Sequence, residues 1–265
     1  MALIKYYVNG VGGSTGADLA TVSPLYTSGT VYYLGNATTG NSDANAGTDR
    51  VAPLATLAHA YAVAAAGDII DVLAGHSETL GSIVWAKAGL RLVGEGAGAL
   101  VPRFVGSTSL SIEVTAAGCM FDNLQFGPTT FAGGITLQLE ASNARCNNLS
   151  FVTGANETSS CFGMTGAGSA QNARITNCTF TSGSKLSYAI ELSSTWTDVT
   201  MENVVLDGSS FGWATYAWRN DATITRLCIT GLQLLNGSDV LIGTGTTGYI
   251  QVSEQSGSSQ IDWTP

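Results

Sequence analysis

Acidic side chains are the residues of this chain that could carry acid–base chemistry. Hydrolysis of a glycosidic bond needs two carboxyl groups about 5–9.5 Å apart, one to donate a proton and one to act as base or nucleophile. Glu113 and Glu191 each lie between two apolar residues, whereas Glu140 and Asp198 lie near strand ends and have no obvious partner. Whether any two of these groups can act together depends on how the chain stacks the segments that carry them.

Two further clusters could bind a proton or a metal ion. His76 lies two residues before Glu78 and follows Gly75, a pattern more typical of a surface turn than of a general base. Asp43, Asn45 and Asp49 resemble a calcium loop in composition, but their spacing is not that of an EF-hand loop. We expect a tight turn there, and we predict neither a metal site nor another cofactor.

A six-residue pattern centred on asparagine returns along the second half of the chain. Its central residues are Asn123, Asn148, Asn177 and Asn203, and a fifth copy has Gly231 in that place. The copies are 25, 29, 26 and 28 residues apart, which indicates a repeat architecture. Asn and Gly tolerate the left-handed backbone of a sharp bend. The pattern therefore predicts a stacked ladder of buried, hydrogen-bonded amides.

Strands are predicted on both sides of each asparagine, because apolar residues alternate there with period two. A second series of short strands, at 112–114, 137–139, 162–164 and 190–192, runs in step with the first. Together they predict an all-β chain folded as a parallel β-helix solenoid of about seven rungs. Glu113 and Glu191 are then three rungs, or about 14 Å, apart. That distance is too long for a catalytic pair, so we predict no catalytic residue.

An antiparallel sandwich of short strands is the alternative architecture. The fixed register of the asparagine positions argues against it. The solenoid divides the chain into an N-terminal arm (1–29), a first strand with a loop and a capping helix (30–67), the β-helix (68–252) and a C-terminal tail (253–265). We expect the tail to cover one end of the solenoid.

The other end is expected to be covered by an amphipathic helix over residues 53–66. An uncovered solenoid end exposes its core and its strand edges. The apolar face of the helix consists of Leu54, Leu57, Ala58, Tyr61 and Ala65.

Composition limits the classes of partner. The 265 residues carry a net charge of −9 with only 10 Lys and Arg, which are scattered, so nucleic acid is not an expected partner. No apolar run reaches the length of a membrane span and no signal peptide is evident, so we expect no membrane partner. The five cysteines form no metal-binding pattern and are expected to be free thiols, four of them inside the core.

The segment from residue 30 to 126 resembles the first rungs of a known family. It contains Gly40-Asn-Ser-Asp43-Ala-Asn45-Ala-Gly47, then Pro53-Leu54-Ala55-Thr56-Leu57, then Gly67-Asp68-Ile69-Ile70-Asp71-Val72. These motifs resemble those of the right-handed parallel β-helix (pectate-lyase-like) superfamily. The resemblance implies that fold with its N-terminal capping helix. It implies little about activity, because one fold hosts many functions.

Among β-helix proteins, the chain resembles the short trimeric ones of tailed-phage particles. This resemblance implies a non-enzymatic structural protein of the virion, a head decoration (cement) protein that forms a homotrimer and binds the major capsid protein or another virion protein. The apolar arm residues Ile4, Tyr6, Tyr7 and Val8 are expected to attach it.

The alternative function is a tailspike-like protein that binds or degrades polysaccharide, with a host surface glycan as its partner. An aromatic cluster could serve either function, because aromatic rings can fill the core, contact another subunit or form a sugar platform. The cluster consists of Phe211, Trp213, Tyr216 and Trp218.

Overall fold

Short parallel strands, each stacked on the strand one repeat earlier, make up this architecture. The structure is a computed structural model that describes residues 29–35, 40–127, 135–152, 160–165, 170–182, 188–208, 217–220, 223–236, 238–242, 246–256 and 261–263. The strands of this part form three faces around one core, so the all-β parallel solenoid is confirmed.

The first face is a stack of strands that pair in parallel from one end to the other. Several of these strands continue past a bend onto the second face. In chain order they are β1 (Val31–Leu34), β2 (Ile69–Val72), β4 (Arg91–Gly94), β6 (Met120–Phe126), β8 (Arg145–Val152), β10 (Ala170–Thr176), β13 (Trp196–Glu202), β16 (Ile224–Leu235) and β18 (Gly248–Gln255).

The second face combines the far halves of these bent strands with short strands of its own. It contains the first parts of β3 (Ser77–Trp85) and β5 (Arg103–Val114), the far halves of β6, β8, β16 and β18, and the strands β11 (Thr179–Thr181) and β14 (Val205–Asp207).

The third face contains the second series of strands that the sequence predicts. It stacks the far halves of β3 and β5 with β7 (Ile135–Leu139), β9 (Ser160–Met164), β12 (Tyr188–Leu192), β15 (Trp218–Asn220), β17 (Val240–Ile242) and β19 (Ile261–Trp263). A rung is defined here as one first-face strand with the second-face and third-face strands that follow it. Eight strands stack on this face of the described chain, so the rung count differs slightly from the predicted seven.

The core fills the space between the three faces with one inward side chain from every second residue. On the second face the inward residues form a column of phenylalanines: Phe104, Phe126, Phe151 and Phe180. Successive rings in this column lie 6.1, 5.1 and 4.8 Å apart, and the last pair is parallel. Such stacking aligns each rung on the one before it.

The predicted asparagine bend separates the first face from the second. Asn123, Asn148, Asn177 and Asn203 have φ between 50° and 55°, and Gly231 has φ 67°. The prediction that these amides are buried is wrong for Asn148, Asn177 and Asn203, which are exposed because the bend forms an outer corner of the solenoid.

Hydrogen bonds link the side chains along this corner. Asn148 donates to Asn123 over 2.7 Å and Asn203 donates to Asn177 over 3.1 Å. Asn177, however, donates to Asn147 rather than to Asn148, over 2.9 Å. The ladder is therefore present but shifts by one residue at its centre.

A second corner with left-handed backbone, between the third and first faces, was not predicted. Each of its residues directly precedes a buried residue, and they are Gly67, Gly89, Gly118, Asn143, Asn172, Asp198 and Arg226. Asn172 donates to Asn143 over 3.2 Å, and Arg226 donates to Asp198 over 2.5 Å. This ladder begins with glycines and ends with an ion pair, so its residue types do not repeat as clearly as those of the first corner.

Helix α1 (Leu57–Val63) covers the end of the solenoid next to β1 and β3, as the capping prediction requires, but it is shorter than the predicted 53–66. Its buried residues are Leu57 and Ala60, whereas Ala58 and Ala65 of the predicted face are exposed. Tyr61 packs on Trp85 of β3, with ring centres 5.0 Å apart. The ammonium group of Lys87 donates to the carbonyl oxygens of Ala62 and Ala64 and so caps the helix C-terminus.

The opposite end differs from the prediction of a covering tail. Residues 248–255 and 261–263 form β18 and β19, which extend the first and third faces by one more rung. The inward residues Ile250, Val252 and Ile261 are only partly buried. Within the part of the chain that the structure describes, no element lies over this end.

Candidate functional site

Three acidic residues lie on the outer surface of the third face. Glu113 and Glu191 belong to one row, and Glu140 lies beside that row. Glu113, Gln138, Gly163 and Glu191 follow one another at paired positions on β5, β7, β9 and β12. Glu113 and Glu191 are thus three strands apart, as predicted, which is about 14 Å. This spacing exceeds the range in which two carboxyl groups cleave a glycosidic bond.

Glu140 has a partner that the sequence analysis missed. Its carboxyl group is hydrogen-bonded to Glu113 and also accepts a hydrogen bond from the amide of Gln138. Burial, the charge of Glu140 and this hydrogen bond raise the pKa of Glu113. The two residues are 27 positions apart in the sequence, and adjacent rungs bring them together.

Asp198 also has a partner, contrary to the expectation. It lies on the corner between the third and first faces and accepts two hydrogen bonds of 2.5 Å from the guanidinium group of Arg226. The hydrogen bonds and charge of Arg226 lower the pKa of Asp198. Asp198 is therefore an ionised corner residue held in a fork-shaped ion pair.

His76 is buried, so the expectation that it lies on a surface turn is wrong. Its side chain is 3% exposed, Nδ1 lies 2.5 Å from the carbonyl oxygen of Gly35, and Nε2 lies 3.2 Å from Glu78. The Glu78 carboxylate accepts in turn from the backbone N–H of Leu57, over 2.9 Å, at the first residue of α1. His76 and Glu78 thus tie the loop after β1 to the start of the capping helix.

The loop whose composition resembles a calcium site is a turn that binds the start of helix α1. The Asp43 carboxylate accepts hydrogen bonds from the backbone of Ala55 (2.9 Å) and of Thr56 (3.0 Å), and from the Thr56 hydroxyl (2.8 Å). Burial alone would raise the pKa of Asp43, but these hydrogen bonds lower it. Asn45 donates to the carbonyl oxygen of Pro53 over 2.8 Å. The tight turn expected there is what the structure contains.

An acidic pair that the sequence analysis did not single out lies beside this loop. Asp71 on β2 is 4% exposed and is hydrogen-bonded to Glu95, and Arg50 forms an ion pair with Glu95. Burial first, and then the negative charge of Glu95, raises the pKa of Asp71 to about 7. One oxygen of Asp71 has no hydrogen-bond partner within the described chain. The sequence signal that could have identified Asp71 was an acidic residue between the apolar residues Ile70 and Val72.

Four cysteines are buried and Cys228 is exposed, as the inward phase predicted. Burial raises the pKa of Cys119 to about 11 and that of Cys178 to about 12, and raises the pKa of Cys146 as well. These thiols therefore stay protonated at neutral pH, and they fill the core rather than act as nucleophiles.

Several predicted contact residues lie outside the described residues. They are the arm residues Ile4, Tyr6, Tyr7 and Val8, together with Phe211, Trp213 and Tyr216 of the aromatic cluster. Trp218 is described and is fully buried at an inward position of β15. It therefore fills the core and cannot contact a subunit or a glycan, which corrects the expectation for this residue.

The described ranges contain neither a candidate metal site nor a membrane-spanning helix. They contain no group of three or more His, Cys, Asp or Glu side chains that could hold a metal ion. No helix among them is long and apolar enough to cross a membrane.

Comparison with known proteins concerns the fold. No family model and no curated protein matches the chain. Among solved structures it is similar to pectate lyase Pel9A, with 15% identity over 87% of this chain and 79% of that one, at a TM-score of 0.43. It is also similar to a rhamnogalacturonan lyase, with 13% identity over 82% of this chain and 69% of that one, at a TM-score of 0.37. Neither similarity carries a conclusion about the chemistry of this chain.

Proposed function

We propose that this chain is a non-enzymatic structural protein of a phage particle, a trimeric head decoration protein that attaches through its N-terminal arm. The major capsid protein or another virion protein is its binding partner. The observation that carries the proposal is the use of its polar side chains. His76, Glu78 and Asp43, the groups best suited to proton transfer or ion binding, instead bond the backbone of the cap.

The distribution of exposed apolar side chains supports attachment at the capped end. The large apolar side chains that are exposed in the described ranges are Val51, Val63, Val84, Leu100 and Tyr249. The first four belong to the cap or to the first two rungs. The arm (residues 1–29) joins the solenoid at this same end, where Asp68 accepts from the backbone N–H of Thr30. Exposed apolar groups gathered at one end are typical of a contact surface.

Deletion of residues 2–29 tests the attachment. We expect the shortened protein to keep its β-structure and its oligomeric state, because β1 and the capping helix lie after the deleted residues. It should lose binding to capsids from which the decoration protein has been stripped. Co-sedimentation with such capsids measures binding, and circular dichroism with light scattering checks the fold. Undiminished capsid binding by the shortened chain would contradict attachment through the arm.

A polysaccharide-degrading or polysaccharide-binding protein of the tailspike type is the second candidate. The observation that favours it is the Glu113–Glu140 pair, in which one carboxyl group of raised pKa could donate a proton. Against it, two hydrogen-bonded carboxyl groups lie closer than the roughly 5 Å used by retaining glycosidases.

Release of oligosaccharide from a host surface glycan distinguishes the two candidates. The structural proposal expects none from the wild type, and it expects Glu113→Ala, Glu191→Ala and Asp198→Ala to leave capsid binding intact. Release by the wild type that is lost in Glu113→Ala or Glu140→Ala but kept in Glu254→Ala, an exposed acid of β18, would establish the enzyme instead.

A further inference from the structure

Three arginines occupy one outward row of the first face. Paired positions on β4, β6, β8 and β10 carry Arg91, Met120, Arg145 and Arg174 in succession. Arg145 and Arg174 are exposed, and neither Arg91 nor Arg145 has an ion-pair partner among the described residues. In a chain of net charge −9 with 10 basic residues, this row is a local concentration of positive charge.

The third face carries the opposite charge over the same rungs. Its outward residues there include Glu113, Glu140 and Glu191, and no basic residue interrupts them between β5 and β12 in the described ranges. The Arg row directly follows the corner that joins the third face to the first. The two charged surfaces therefore flank one edge of the solenoid.

The two rows also match in height along the solenoid axis. Arg91 and Glu113 belong to one rung (β4 and β5), and Arg174 and Glu191 belong to another (β10 and β12). Arg145 on β8 lies one rung beyond Glu140, which directly follows β7. Each Arg therefore has an acidic residue within about one strand spacing of 4.8 Å in height.

Rotation about an axis parallel to the solenoid keeps every residue at its own height. Copies related by such an axis, with this edge turned toward it, bring the first face of one copy against the third face of the next. Such a head-to-tail contact closes into a ring. It also sets each row of like charges opposite a row of the other sign at matching height.

We propose that the arginine row Arg91–Arg145–Arg174 of one copy binds the acidic row Glu113–Glu140–Glu191 of the next, and that this contact builds the homotrimer. The inference rests on the proposed trimeric function and names the surface that forms it.

Each row contains two like charges that lie side by side in the free chain. Arg145 and Arg174 are direct neighbours across a pair of strands. Glu113 and Glu140 share a hydrogen bond, and the charge of Glu140 contributes to the raised pKa of Glu113. A guanidinium group from a neighbouring copy would offset this repulsion and could bond a carboxylate through two N–H groups.

The acidic residues of the first face do not oppose this arrangement. Asp71, Asp122 and Glu202 lie in the other outward row, farther from the shared edge, and each already has a partner. Asp71 is bonded to Glu95, Asp122 accepts from Asn147 over 2.8 Å, and Glu202 accepts from Arg174 over 2.8 Å.

Charge reversal in the full chain tests the contact. Glu113→Lys with Glu140→Lys, or Arg91→Glu with Arg145→Glu, should each raise the dissociation constant of the trimer at least about 100-fold, because like charges then face each other. All four substitutions together restore opposite signs and should return the constant to within about 10-fold of the wild type. Sedimentation equilibrium in about 0.1 M salt, where charges act over about 10 Å, measures the assembly.

Asp49→Lys with Glu254→Lys is the matched control for the reversal of Glu113 and Glu140, since it changes the net charge by the same amount and sign outside both rows and should leave the trimer intact. Circular dichroism of each variant confirms that the monomer is folded. A wild-type trimer that survives both double reversals would overturn this interface while leaving the proposed function standing. A wild type that sediments as a single chain of 27.2 kDa would overturn both.

Discussion

The two ends of the solenoid are closed in different ways. At the first end, the core residues Leu54, Leu57 and Ala60 come from a loop and a helix outside the repeat, and all are fully buried. At the last end, Ile250 and Val252 occupy repeat positions and remain partly exposed, because β18 stacks on β16 and no described element stacks on β18. Closing a solenoid thus requires residues that depart from the repeat, and the polar network at the first end holds such residues in place.

Two isoleucines at equivalent positions provide the strongest test of this difference. Ile70 and Ile250 point inward from the first face, but Ile70 is fully buried and Ile250 is partly exposed. We expect Ile70→Ala to lower the free energy of unfolding by roughly 2–5 kcal/mol through the cavity it leaves. Ile250→Ala should cost about 1 kcal/mol or less, because less apolar surface is lost from the core. Urea unfolding measures both, and equal losses would show that the two ends are equally closed.

The asparagine corner between the first and second faces allows a second test. At Asn177 both the amide and the left-handed backbone contribute to stability. Asn177→Ala should destabilise by roughly 1–3 kcal/mol, since it removes the bonds to Asn147 and Asn203 and strains a residue with φ 55°. Asn177→Gly loses the same bonds without the strain, and should therefore be less destabilising than Asn177→Ala.

Thermal melting of the two Asn177 variants gives the result. Equal melting temperatures for the two variants would remove backbone strain from the explanation. An Asn177→Ala protein that melts like the parent would contradict the role of the ladder altogether.

The smallest expected effect is a pH dependence that belongs to the first end alone. Because burial and Glu95 raise the pKa of Asp71 to about 7, the folded chain holds a proton that the unfolded chain releases near pH 4. The contribution of Asp71 to stability therefore falls as the pH rises from about 4 to about 7, and it is lost above that range.

The asparagine side chain of the Asp71→Asn variant cannot titrate. The free energy of unfolding of this variant should therefore depend less on pH between about 4 and about 7. We expect its stability relative to the wild type to be greater at pH 8 than at pH 5, because only the wild type ionises a buried carboxyl group over this range. Urea unfolding at the two pH values measures the difference. Glu254→Gln at the last end is the control, because Glu254 is exposed. Parallel profiles for Asp71→Asn and the wild type would show that Asp71 does not titrate in this way.

The features that repeat along the chain could be predicted from the sequence. Those that depend on contacts between rungs could not. The Asn123 to Asn203 spacing and the 112–114 strand series were sufficient for the fold, because each residue type returns at the same place on successive rungs. The second corner was missed because Gly118, Asn143, Asp198 and Arg226 meet one backbone requirement with four residue types.

The polar contacts could not be found from spacing for a related reason. Glu113 meets Glu140, and Asp71 meets Glu95, between residues 27 and 24 positions apart. Whether two such side chains touch depends on loop lengths between the strands, which vary from rung to rung. The buried position of His76 was missed because Gly35, its hydrogen-bond partner, belongs to the part of the chain before the repeat.

The strand pairing also has a consequence for how the chain gains and loses structure with time. Every strand pairs with strands of the adjacent rungs, whose residues lie between 20 and 38 positions away along the chain. Loops of this length close at a modest entropic cost, and each rung that forms presents a template for the next. Structure therefore propagates along the axis, and it is lost first at β18 and β19, where one rung can detach without breaking the pairing of any other. Exchange of backbone amide hydrogens will accordingly follow a gradient along the axis, fastest in the last rung and slowest toward the interior rungs.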